Sequence, residues 1–83
     1  LMSRLAKLVT KFLSHPSEVR FEEVRLLLET FGFEEVRSKG SHHSFRHPDG
    51  RKITIPKKGG QQVKGSYVRQ IVELLKLEDW RGE

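Results

Sequence analysis

The chain has 83 residues, 35% of them hydrophobic, and a net charge of +5; that makes one small domain with a modest core and no room for a deep small-molecule cavity. It has no cysteine, so disulfides and thiolate metal sites are excluded, and packing alone must hold the fold together. The charge is uneven: residues 37–69 carry nine Lys or Arg against Asp49 alone, while the rest carries seven against ten acids, so a polyanion-binding face is expected in that segment.

Leu5, Leu8, Val9 and Phe12 recur at helical spacing and predict a short helix over residues 3–13, with Met2, Ala6 and Leu13 widening its apolar surface. Lys7 and Lys11 interrupt this segment, so it fails as the apolar core of a signal peptide. The longest apolar run covers only residues 26–28, far short of the ~20 a membrane span needs. These features, with the lack of cysteine, fit a cytoplasmic protein.

Residues 14–17, Ser-His-Pro-Ser, break the pattern. A second helix is expected over residues 20–31, with Phe21, Val24, Leu27, Leu28 and Phe31 inward. Glu22 and Glu23 stand in its first turn, where the helix dipole favours them, and Gly32 offers a left-handed exit. The period then changes to two. Residues 33–39 read as a strand with Phe33, Glu35 and Arg37 on one face; residues 42–47 form a second strand, Pro48-Asp49-Gly50 the turn, and residues 51–56 a third. A Gly-rich basic loop follows over 57–63. The last helix, over residues 66–77, turns Val68, Ile71, Val72 and Leu75 inward, and Trp80 follows as a C-terminal anchor.

The order α-α-β-β-β-α predicts an α+β two-layer sandwich. Its αβββα part has the element order of double-stranded-RNA-binding domains (dsRBD-like), and the first helix is an addition to it. One domain spans 1–83, with residues 1–16 as the extra helix and linker.

Strand parity separates the histidines. Phe45 must face the helices, as must Ile53 and Ile55 across the hairpin, so His43 and His47 share that side. His42, Ser44 and Arg46 then lie on the open side with Lys52 and Thr54. A metal site is not expected: adjacent His42 and His43 diverge, and only Asp49 could add a nearby carboxylate. His43 and His47 read as residues at the edge of the core, satisfied by backbone or water.

For His42 general acid–base chemistry is the sharper reading. RNA carries its own nucleophile, the 2′-hydroxyl, so cleaving it needs a base for that proton and cations for the developing phosphorane charge. An imidazole can take that proton and return it. Lys39, Arg46, Arg51 and Lys52 are the candidates for phosphate contacts. Lys57, Lys58 and Lys64 would guide the RNA backbone, with the helix N-terminus near Gly65-Ser66 as an added anion site. The proton donor to the leaving oxygen is open between His47, a lysine and water. A non-catalytic RNA-binding module would suit the same fold order and basic face but would have no need of His42; a DNA-binding or adaptor role lacks a helix with a concentrated basic face.

Gly40-Ser41-His42 with Phe45, then His47-Pro48-Asp49-Gly50-Arg51, a β-run ending in Pro56 and a Gly-containing loop, resembles the HicA (YcfA-like) toxins of bacterial type II toxin–antitoxin modules. Phe31-Gly32-Phe33 before it and Lys64-Gly65 with Val68-Arg69-Gln70-Ile71 after it continue the resemblance, over about residues 20–77. The resemblance implies a dsRBD-like fold and a metal-independent ribonuclease acting on mRNA without a cofactor. It also implies a single catalytic histidine, in G-[GS]-H, mapping onto His42, and a HicB antitoxin that covers it. The extra helix either packs on its own domain or offers the antitoxin an apolar contact.

Overall fold

The computed structural model describes residues 3–82; Met2, counted above with the first apolar surface, lies outside them. Ser3 opens helix α1 (Arg4–Leu13), its side chain accepting the Ala6 N–H at 2.9 Å and so satisfying one of the helix's unpaired donors. Leu8, Val9 and Phe12 of α1 are buried in the same cluster as the other helices. Burying side chains of this size contributes about 1.5–3 kcal/mol each, so α1 packs on its own domain.

The next element has no periodic signal in the sequence. Strand β1 (Glu18–Arg20) pairs antiparallel with β5 (Gln62–Lys64), Val19 opposite Val63, as a separate two-stranded sheet. Each strand is three residues long and buries one valine. That is too short for alternation to register, so the expected loop over 57–63 in fact runs into a strand. Gly65, at the start of α3 (Gly65–Leu75), completes this corner. Its N–H donates to the Ser17 carbonyl at 2.7 Å. A Cβ there would come within 2.6 Å of the Pro16 carbonyl oxygen, so only glycine admits the linker. Of the donors at this N-terminus the first, the Gly65 N–H, is thus engaged by the linker, while Ser66 stays exposed.

Helix α2 (Phe21–Thr30) is capped by Glu23, whose carboxylate accepts the Arg20 N–H at 3.0 Å and also meets Lys11 Nζ of α1 at 2.7 Å. Burial pushes the Glu23 carboxyl up, but these two partners outweigh it and hold it below the ordinary range. Beyond Gly32, strands β2 (Glu34–Lys39), β3 (His42–Arg46) and β4 (Lys52–Pro56) form an antiparallel sheet in the order β2-β3-β4. Phe45 and Ile55 point from it into the core against Phe21 and Phe33. α3 covers the core with Val68, Ile71, Val72 and Leu75, and a short 3-10 turn (Leu77–Asp79) brings partly buried Trp80 against it. The result is an α+β sandwich with a dsRBD-like αβββα arrangement running from α2 to α3.

Candidate nucleic-acid interface

The β2–β3 connection is a two-residue turn, Lys39 being opposite His42. Gly40 takes φ +59°, the left-handed conformation such tight hairpins require. This turn fixes the register of β3, and register decides which face each side chain serves. Pairing across the sheet arranges the open face in rows. Lys39, His42 and Pro56 make the first, Arg37, Ser44 and Thr54 the second, and Glu34, Arg46 and Lys52 the third. Rows two residues apart are separated by about 6.7 Å along the strand.

Arg37 owes its place in the second row to a β-bulge. Simple alternation puts Glu35 and Arg37 on one face, but the register shifts between them, so Glu35 lies opposite inward Phe45 and Arg37 opposite outward Ser44. Val36 absorbs the extra residue and is left 55% exposed. The expectation that Arg37 would share a face with Phe33 is thereby corrected. Parity counting cannot see a bulge, because one inserted residue inverts every assignment on one side of it.

Among the described residues, Arg37, Lys39, Arg46 and Lys52 have no carboxylate within 4 Å, and His42 is exposed beside them. Glu34 is the one acid in the three rows. Ser44 Oγ and Thr54 Oγ1 lie 3.0 Å apart in their midst.

The inward side differs. His43 Nδ1 meets Glu35 Oε2 at 2.6 Å; a carboxylate only accepts, so the imidazole donates. Glu35 Oε1 accepts from Arg25 Nη2 of α2 at 2.9 Å. Burial pushes the Glu35 carboxyl up, but the His43 hydrogen bond and the Arg25 charge more than offset it, holding it below the usual carboxylate range. The His43 ring is tilted against Phe21 at 4.5 Å, and its Nε2 is buried without a hydrogen-bond partner. The expectation that backbone or water would satisfy His43 is therefore replaced by a carboxylate partner from the neighbouring strand. His47 packs on Phe33 at 5.1 Å, and its Nδ1 accepts the Asp49 N–H at 3.0 Å, which leaves that nitrogen no proton for the Asp49 carboxylate 2.9 Å away.

The cations named from the sequence divide accordingly. Lys39, Arg46 and Lys52 come together around His42's face. Arg51 does not: it pairs with Asp49 at 2.8 Å, donates to the Leu74 carbonyl at 2.9 Å and lies over the Phe33 ring. Its backbone N–H and guanidinium in turn hold the Asp49 carboxyl below its ordinary range. Lys57 places its ammonium 4.8 Å from the Phe21 ring centre, on the helix side. Lys58 pairs with Glu18 at 2.7 Å, and Lys64 belongs to the other sheet, opposite Glu18. Among the described residues no three His, Cys, Asp or Glu converge as metal ligands would.

An α+β sandwich of this order, with one open cationic sheet face, defines a class of small dsRBD-like domains. The chain matches the family model of the HicA toxin of bacterial toxin–antitoxin systems over residues 21–77, most of its length. It belongs to that family, and is thereby the toxin partner of an antitoxin. Comparison with curated proteins and with solved structures gives no match. No helix among the described residues is long and apolar enough to cross a membrane.

Proposed function

We propose that this toxin is a metal-independent endoribonuclease that cleaves mRNA with His42 as its general acid–base. The observation that carries the reading is the placement of His42: exposed, at a strand start fixed by a tight turn, on a face whose cations have no carboxylate partner among the described residues. Neutral His42 takes the proton of a ribose 2′-hydroxyl. The 2′-oxygen bonds to the adjacent phosphorus, the bond from phosphorus to the 5′-oxygen breaks, and the imidazolium returns a proton to that departing oxygen. The products are a 2′,3′-cyclic phosphate and a 5′-hydroxyl. Lys39, opposite His42 in register, and Arg46 and Lys52 further along stabilise the phosphorane charge and hold the chain. His47, beyond the end of β3 and packed on Phe33, is given no part in this reading.

A HicB-type antitoxin neutralises the toxin by occupying this face, offering carboxylates to Lys39, Arg46 and Lys52 and excluding RNA from His42. Expression of the wild type beside His42→Ala, scoring growth and RNA integrity, tests the reading. Growth arrest with RNA cleavage, both lost in a folded His42→Ala protein and both insensitive to EDTA, is expected. Undiminished cleavage by that variant, or loss of cleavage in chelator with rescue by a divalent ion, overturns it. If the wild type binds RNA and leaves it intact, the non-catalytic RNA-binding reading replaces it.

A further inference from the structure

We infer that Arg37, Ser44 and Thr54 form a phosphate subsite for the RNA nucleotide adjoining the one cleaved at His42. This rests on the ribonuclease reading above and extends it to residues not otherwise given a role. The three occupy one row across β2, β3 and β4, between the His42 row and the Arg46–Lys52 row. Together with Arg46, Lys52 and, from α3, Gln70 they line a hollow that does not include His42. A phosphate seated there stands one row along from the reacting centre, about 6.7 Å along β3. That offset is of the order of one nucleotide of an extended strand.

The chemistry suits an anion. Ser44 and Thr54 hydroxyls, 3.0 Å apart, can share one hydrogen bond between them, which leaves one O–H able to donate outward. Arg37 supplies a planar guanidinium suited to two phosphate oxygens at once, and no carboxylate lies within 4 Å of it among the described residues. The bulge gives the row its purpose. Without it Arg37 would turn to the side where Glu35 already serves Arg25 and His43; with it, a guanidinium joins the open face. Bulges re-aim side chains in this way beside functional sites. A subsite that holds a backbone phosphate acts irrespective of sequence.

The test uses the His42→Ala protein, which binds without turnover, and a short oligouridylate RNA titrated at several salt concentrations. Adding Arg37→Ala, or Arg37→Gln of similar length, is expected to weaken binding several-fold and to flatten the dependence of log K on log salt by about 0.7 per lost contact. Ser44→Ala with Thr54→Val is expected to weaken binding about threefold to tenfold while leaving the slope unchanged, because the lost donors are neutral. In the His42 background Arg37→Ala should raise KM for RNA with kcat retained. Unchanged affinity and slope in folded Arg37 variants overturns the subsite while cleavage by the wild type keeps the ribonuclease reading. An RNA pool left intact by the wild type overturns that reading, and the salt slopes then still decide the subsite. Absence of any binding by the His42→Ala protein overturns the subsite as well.

Discussion

Arg51 and Lys52 are neighbours in the chain and serve opposite faces of one sheet. Arg51 is tied to Asp49, to the Leu74 carbonyl and to the Phe33 ring, whereas Lys52 stands opposite Arg46 with no carboxylate partner among the described residues. His43 and His42 repeat the contrast on β3, one buried against Phe21 and bound to Glu35, the other exposed. The inward side uses its charges to hold strands and helices together. On the open side Arg37, Lys39, Arg46 and Lys52 have no carboxylate partner among the described residues. Charge counting along the sequence gives the two sides equal weight, yet Arg51 has a carboxylate partner where these four have none among the described residues.

The sharpest way to break this contrast is to exchange the two histidines' fates. His42→Ala should lower cleavage by about 10²–10⁴-fold, the range for removing a general acid–base, with an unchanged melting temperature. His43→Ala should lower stability by about 1–3 kcal/mol, because it removes one of the two partners of the partly buried Glu35 carboxylate and opens space against Phe21. Thermal melts and single-turnover cleavage on both proteins decide it. A His43→Ala protein that melts like wild type but no longer cleaves would move the reacting group to the inward side.

Next in size is an acid effect confined to that side. Glu35 has its carboxyl held below the ordinary range in the folded protein, so its ionised form contributes stability above the unfolded carboxylate value, near ~4.3. That contribution is lost as pH falls through the lower folded value. Glu35→Gln should therefore cost stability at neutral pH, and the gap to wild type should narrow at acid pH. Denaturant titrations at pH 7 and pH 3 give the comparison; a gap that is constant with pH would show that packing, not charge, ties Glu35 to His43 and Arg25.

The smallest effects separate the adjacent cations. Lys52→Ala should leave the melt unchanged and reduce the salt slope of RNA binding by about 0.7. Arg51→Ala should do the reverse, lowering the melting temperature with the slope retained. Salt titrations and melts of the two variants sharpen the boundary between the faces, and a slope change in Arg51→Ala would extend the open face around the hairpin turn.

Much of this was legible in the residues. Helical spacing placed α1, α2 and α3 within a residue or two, and alternation through Phe45, Ile53 and Ile55 put His42 with Ser44, Arg46, Lys52 and Thr54 on one side, as found. Those signals are local, arising from the 3.6 and 2.0 periods of the backbone itself. What they missed was non-local. The β1–β5 sheet joins residues 18–20 to 62–64 through one buried valine on each side. Charge made Arg51 a candidate for RNA, and its ties to the Leu74 carbonyl and the Phe33 ring were likewise out of sight.

By itself, then, the sequence determined the three helices, the αβββα core, the two faces of the β3–β4 hairpin and the membership signalled by the Gly40-Ser41-His42 and His47-Pro48-Asp49-Gly50-Arg51 stretches. Tertiary structure decided which cations remain available. Asp49, Glu18 and the Phe21 ring claim Arg51, Lys58 and Lys57, and the bulge at Val36 hands Arg37 to the open face. The physical reason is that a cation's availability depends on what lies within a few ångströms of it. Apart from Asp49, two residues from Arg51 in the same turn, those neighbours come from other strands and helices, whose register no stretch of sequence specifies alone.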